Sequence, residues 1–546
     1  MISWFGKLDR KADHPLFNVD AAKKLLAELP DNDPLKALEE TTAWLESFKD
    51  AQGYSLHNRL AVANLLDETG LQFYRKVMTK YLAEPHLQDF RGMRLWQGCH
   101  SYMKMLAETY AVCMVEYQQT EKKTAEIGEQ IPVISVRLIR AIAERMKLDL
   151  MRYIEVEQEI WDGLYRQYHF AKLNHFADAL VYAYAGHSVH TSPQREFLRA
   201  LALYVSSPGT LAPNEIELVS RISARLTSLF VIRETADEDC PYCMDLAKPV
   251  APVLANKRLE PAVPTIRYFG ISKAVPKLEG LIQQNERGVV EQESRLGNEF
   301  TPDGKLTVLK HLRLYWGKEL PHRHTDRKGI SATIKVAHGF KTISNLVTQF
   351  DLSKIANLSE EDSAKLKERA SGLRLATHDT DNTIEDWATQ DISVYGIGCI
   401  LPKSAGQWVK VGALCAISDQ NAKQWWVGMV RRVHADKLGK VHVGIFILTK
   451  KPLAVWVRIL GKGAERVSDW QSSSGSFAYD FLPVILLPDA QNSYTNATML
   501  MESMKFVPDS LYEAMTGEKS HNLKLTKLLA EGDDYEHVSF QWLGAS

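Results

Sequence analysis

The spacing of apolar residues changes period near residue 235, and this change constrains the fold more than any other feature of the chain. Before it, apolar positions recur at helical spacing. Beyond it, they fall in short runs bounded by Gly, Pro, Asp or Ser. One class of secondary structure cannot serve both halves, so the expected fold is multidomain α+β, with an N-terminal all-helical domain followed by mainly β structure. With 546 residues and 45% hydrophobic composition the chain can bury several cores.

Residues 1–235 read as the helical domain. Asp33-Pro34 supplies an N-cap and a first-turn proline, and Leu35, Leu38, Trp44, Leu45 and Phe48 follow at near-helical spacing. Longer helical patterns run from Phe90 to Tyr117, Val133 to Leu150 and Ile154 to Ala185, and others open at Ser192-Pro193 and Pro213-Asn214. Tyr102, Tyr110, Trp161, Tyr165, Tyr182 and Tyr184 fall within them and are expected to pack between helices.

Residues 236–317 read as a linker and leading β segment, because Pro241, Pro249, Pro252, Pro261 and Pro264 break the helical period. Strands are expected at Thr265–Phe269, Leu306–Trp316, Ile330–Val336, Ile397–Leu401, Ala413–Ile417, Trp425–Val433 and Val441–Leu448. A charged segment at 344–375 reads as a helical insertion. Residues 461–546 read as a C-terminal β extension or second β-domain, with strands at Val484–Leu487 and His537–Leu543 and a turn at Gly532-Asp533-Asp534.

A formal net charge of −1 argues against a partner that is a nucleic-acid polymer. The N-terminus has no apolar signal-peptide core, and no apolar run is long enough to span a membrane. Six cysteines in so long a chain do not make a disulfide framework, so a cytoplasmic protein with reduced thiols is expected. Cys240-Pro241-Tyr242-Cys243 has redox spacing, but the acidic residues before it do not favour a thiolate, and it reads as a surface loop. His169, His175, His187 and His190 have no patterned metal-ligating partners and read as ordinary helix residues. No Walker A, nucleophile elbow or catalytic carboxylate pair is present, so the expectation is not an enzyme: no catalytic residues, no metal and no cofactor.

Two short signatures remain. Arg323-His324-Thr325-Asp326-Arg327 gives R-x-x-x-R, and Asp391-Ile392-Ser393-Val394-Tyr395-Gly396 gives D-x-S-x-x-G. The arginine spacing recurs at Arg195/Arg199 and Arg221/Arg225, where solvated helix faces account for it. Around the first signature, Lys305 to Lys341 contains nine Lys/Arg and two acidic residues in a nearly neutral protein. An anion site and a solvated strand face both produce such an excess. For the second signature, an Asx-type turn between strands explains the same residue types.

Taken in order, with strand-like sequence after each, the two signatures resemble the PilZ domain, a small β-barrel that binds the bacterial messenger cyclic di-GMP. The resemblance covers residues 318–460. It implies a PilZ-like antiparallel β-barrel carrying the insertion at 344–375, with cyclic di-GMP bound by Arg323, Arg327, Asp391, Ser393 and Gly396. Arginine forks suit both phosphate oxygens and guanine O6/N7, and Asp391 would accept from guanine N–H groups. The separation of the two signatures is longer than the family's usual single hairpin.

The function implied is a cytoplasmic cyclic di-GMP effector that changes domain packing or the binding of an unidentified protein partner when the ligand is bound. The alternative is a protein-interaction scaffold whose barrel binds no ligand. A thiol enzyme built on Cys240 and Cys243 ranks below both.

Overall fold

Capping chemistry present in the sequence sets where the helices begin. The Asp33 side chain accepts from the Lys36 amide at 3.2 Å, Ser192 accepts from Arg195, and Thr301 accepts from Gly304, each followed directly by a proline. A computed structural model describes residues 13–83, 90–120, 124–186, 188–257, 263–288, 296–297, 299–319, 327–354, 384–402, 406, 408–419, 424–460, 482–489, 491, 493–516 and 519–545. The chain divides into two units, Met1–His322 and Arg323–Ser546. Among the described residues, no helix is long and apolar enough to cross a membrane.

The first unit opens with helices α1 (Val19–Leu26), α2 (Pro34–Lys49), α3 (Leu56–Ala83), α4 (Phe90–Gln119), α5 (Ala125–Met151), α6 (Gln158–Leu173), α7 (Pro193–Val205) and α8 (Pro213–Leu226). Strands β1 (Val231–Arg233), β2 (Tyr242–Asp245), β3 (Val253–Leu254) and β4 (Ile266–Gly270) form a small antiparallel sheet in the order β1-β4-β2-β3. Helices α9 (Val275–Glu286) and α10 (Pro302–Trp316) complete the unit, and one apolar core runs from Leu16 to Trp316. Tyr102, Tyr110, Trp161 and Tyr165 are buried in that core.

Several sequence expectations are corrected in this unit. Leu306–Trp316 is helix, not strand: Val308, Leu309, Leu312 and Trp316 bury one helical face, and the Trp316 indole donates to Ser206 Oγ at 2.7 Å. Much of 236–317 is therefore packed sheet and helix that shares the core of the first unit. The pattern from Ile154 to Ala185 is helical only to Leu173, because His175 adopts φ 60°, a left-handed stop. Tyr182 and Tyr184 lie beyond this stop, and Tyr182 is exposed. Of the four histidines, His175 and His190 therefore lie outside helices, and His187 lies outside the described residues. Cys240 and Cys243 are buried, Cys243 on β2, so the motif is no surface loop. Burial pushes the Cys240 thiol up, which opposes thiolate chemistry.

The second unit contains two barrels. β5 (Lys328–Gly329), β6 (Thr333–His338), β7 (Ile384–Ile392), β8 (Gly396–Ile400), β9 (Leu414–Asp419), β10 (Trp426–Ala435) and β11 (Val441–Thr449) form the first antiparallel sheet. Pairing of β7 with β8 closes the ring β7-β6-β9-β10-β11-β8, and β5 pairs with the far end of β7. Helix α11 (Phe340–Lys354) occupies the start of the expected insertion. The rest of that insertion lies outside the described residues.

β12 (Leu453–Leu460), β13 (Leu482–Leu487), β14 (Thr498–Glu502), β15 (Leu511–Thr516), β16 (Lys519–Glu531) and β17 (Tyr535–Ala545) close a second antiparallel barrel in the order β12-β13-β14-β17-β16-β15. The C-terminal β structure thus begins at β12, inside the segment expected for the first barrel, because β12 pairs with β13 and β15. Phe340, Ile343 and Val347 of α11 share one core with Leu414, Ala416 and Val427 of the first barrel and with Ile485, Leu487 and Leu500 of the second.

Candidate ligand site on the first barrel

Strand alternation would point Asp391 inward. Trp387 and Thr389 on β7 are buried while Asp386, Ala388 and Gln390 are exposed, so the next odd position should face the core. The register against β8 shifts between Thr389 and Asp391, and this bulge carries Asp391 to a half-buried position at the barrel surface. β5 pairs Gly329 with Asp391, and this lays the preceding Arg327 alongside. The Arg327 guanidinium donates to Asp391 Oδ1 at 2.5 Å.

The structure therefore brings Arg327 and Asp391 together across the long insertion. Ser393 and Gly396 lie in the turn that follows: the Ser393 amide donates to the Gly396 carbonyl at 2.8 Å and its hydroxyl to the same oxygen at 3.2 Å. Gly396 begins β8, where an added Cβ would lie 3.0 Å from the Ile445 carbonyl oxygen. Val394 and Tyr395 at the tip of this turn are exposed. Arg323 lies outside the described residues.

Further residues shape the site, and sequence reasoning missed them. Gly398 faces Asp391 across β7 and β8, and an added Cβ would meet Asp391 Oδ1 at 2.5 Å and the Arg327 guanidinium at 3.2 Å. A glycine inside a strand is the one signal that pointed there, since it marks close approach by another group. The Oε1 of the bulged Gln390 accepts from His442 Nδ1 at 3.0 Å, and His442 Nε2 lies 3.2 Å from Asp436 Oδ2. That pairing joins strands distant in sequence and has no local signature. Beneath the site, burial and then the Asp391 charge push the Cys399 thiol up to about 12.

The basic excess counted along the sequence does not form one surface. Lys310 pairs with Glu286 at 2.8 Å and Lys318 with Asp239 at 3.7 Å in the first unit, while Arg327 and Lys328 belong to the second. Among the described residues no group of three or more His, Cys, Asp or Glu side chains is placed to hold a metal ion.

Fold and site together define a helical unit followed by paired β-barrels, the first with a surface arginine–carboxylate pair. Residues 20–237 are similar to the family described as cyclic-di-GMP receptor FimW, N-terminal domain, a match that covers under half of the chain and falls on the helical region. No curated protein matches. A solved structure of MrkH, described as a novel c-di-GMP dependence transcription regulatory factor, matches at 8% identity over 30% of this chain and 73% of that one. Its TM-score is 0.14.

Proposed function

We propose that this chain is a non-catalytic, cytoplasmic cyclic di-GMP effector whose ligand binds the first barrel at Arg323, Arg327, Asp391, Ser393 and Gly396. The observation that carries this reading is the Arg327–Asp391 pair, which sets a cationic fork and an anionic acceptor side by side at the barrel surface. A guanine nucleotide needs both: the fork donates to phosphate oxygens or to guanine O6/N7, and the carboxylate accepts from guanine N–H groups. The similarity of residues 20–237 to the N-terminal domain of a cyclic-di-GMP receptor supports the same ligand from a separate part of the chain. Residues 318–460 would then act as a PilZ-like ligand barrel, and binding would be read out through the packing or partner binding of the rest of the protein.

Calorimetric titration of cyclic di-GMP into the full chain and into Arg327→Ala tests this. Micromolar binding that the substitution weakens at least tenfold is expected. Binding that survives the substitution overturns the site. No binding to the wild-type chain overturns the function and leaves a scaffold that binds partners without ligand.

A further inference from the structure

The helical unit contains a cleft of about 660 Å³, inside the range of roughly 300–1,000 Å³ usual for small-molecule sites. Its walls differ in chemistry. One is apolar, built from Leu71, Met78, Leu82, Met103 and Leu106. The other presents Arg75, Arg137, Arg140, Lys147, Arg199 and Arg221, with only Glu144, Glu217 and Glu299 as lining carboxylates.

The carboxylates that compensate several of these cations stand behind them. Glu196 accepts from Arg140 at 2.8 Å and pairs with Arg199 at 3.5 Å, and it is buried outside the lining. Buried Asp67 and exposed Glu68, both outside the lining, pair with Arg137 at 3.6 and 2.7 Å. Within the lining, Lys147 pairs with Glu144 and Glu217, Arg199 with Glu144, and Arg221 with Glu217 and Glu299. These pairings hold the forks in fixed directions, and the lining itself presents six cations to three carboxylates. Arg140 Nε is buried without a hydrogen-bond partner among the described residues, and Arg75 at the exposed rim has no carboxylate partner among them.

We propose that this cleft binds an amphipathic organic anion, its apolar body against the α3–α4 wall and its acidic group against the arginine wall. This site is built from residues of the first unit alone. Two sources supply such chemistry: a nucleotide phosphate with its base, or a lipid-like carboxylate with its chain.

The test is fluorescence titration of the full chain with 8-anilinonaphthalene-1-sulfonate, a flat apolar body with one anionic group. The expected result is saturable binding of one probe per chain. Arg75→Glu is expected to weaken it about fivefold, the effect of one lost solvated charge contact. Ala83→Trp, which fills the exposed rim, is expected to abolish it. Neither position is buried, and an unchanged thermal midpoint confirms folding. Displacement by GMP assigns the nucleotide class, and displacement by decanoate the lipid class. Displacement by neither, unsaturable signal, or an unchanged titration in both variants overturns the proposal.

Discussion

Arg327 and Asp391 stand 64 positions apart in sequence and meet at 2.5 Å on the rim of the first barrel. Both side chains keep about a third of their surface in solvent, 33% and 29%. A pair in that setting contributes little to stability, on the order of 0–1 kcal/mol, because water screens it. Its placement by a bulge and a two-residue strand serves to position two opposite charges.

That balance separates binding from folding. Asp391→Asn is expected to lower the unfolding free energy by less than about 1 kcal/mol. It is expected to weaken cyclic di-GMP binding at least tenfold, about 1.4 kcal/mol, since a neutral amide replaces a carboxylate acceptor. Paired denaturation curves and calorimetric titrations read the two effects independently.

Gly398→Ala tests whether the space beside Asp391 matters. The new methyl would lie 2.5 Å from Asp391 Oδ1, the end of a side chain that can swing away. The barrel is expected to fold with a near-native circular dichroism spectrum while the ion pair parts and ligand affinity falls as in Arg327→Ala. Retained affinity would show that the close approach has no part in binding.

The turn after β16 also caps a helix of the other barrel: Asp534 Oδ2 accepts from the Phe340 amide at 2.5 Å, and the Tyr535 hydroxyl donates to the Gly412 carbonyl at 3.0 Å. Asp534→Ala removes the cap and is expected to cost about 1 kcal/mol. Hydrogen exchange should then quicken first in the opening turn of α11. Uniform quickening across both barrels would argue for a global effect instead.

In the helical unit, two buried acids respond to pH with opposite sign. Burial opposes ionisation of Glu196, but Arg140 and Arg199 outweigh it and hold the carboxyl down at about 2, below its ordinary 4.5. Its stabilisation is therefore fully present above pH 4.5 and lost as pH falls toward 2. Burial raises Asp67 to about 6, with Arg137 opposing, so its contribution is fully present below pH 3.8 and lost as pH rises through 6. Glu196→Gln is expected to cost roughly 3 kcal/mol at neutral pH, and Asp67→Asn to flatten the slope between about pH 4 and 6. Urea unfolding across pH reads both.

The local signals in the sequence were reliable where one or two turns of chain decide the outcome. Asp33-Pro34, Ser192-Pro193 and Pro213 mark real helix starts because capping is a contact between residues three apart. The change of period near residue 235 likewise marks the passage from helices α1–α8 to the small sheet β1–β4, since apolar spacing reflects which face is buried, although α9 and α10 still follow it. Leu306–Trp316 shows the limit. Its apolar residues fit either period, and packing against the helical core, with Trp316 on Ser206, makes it helix.

The residue types at the site, and the helical start and mainly β end of the chain, were legible in the sequence. Strand pairing alone brings Arg327 to Asp391, aims the carboxylate outward against Gly398 through a bulge, and takes β12 out of the first barrel to help close a second. The reason is physical. Closure entropy rises slowly with loop length, so a long insertion neither forbids nor dictates a contact between its ends. Pairing across the barrel decides it, and that pairing is a property of strands distant in sequence.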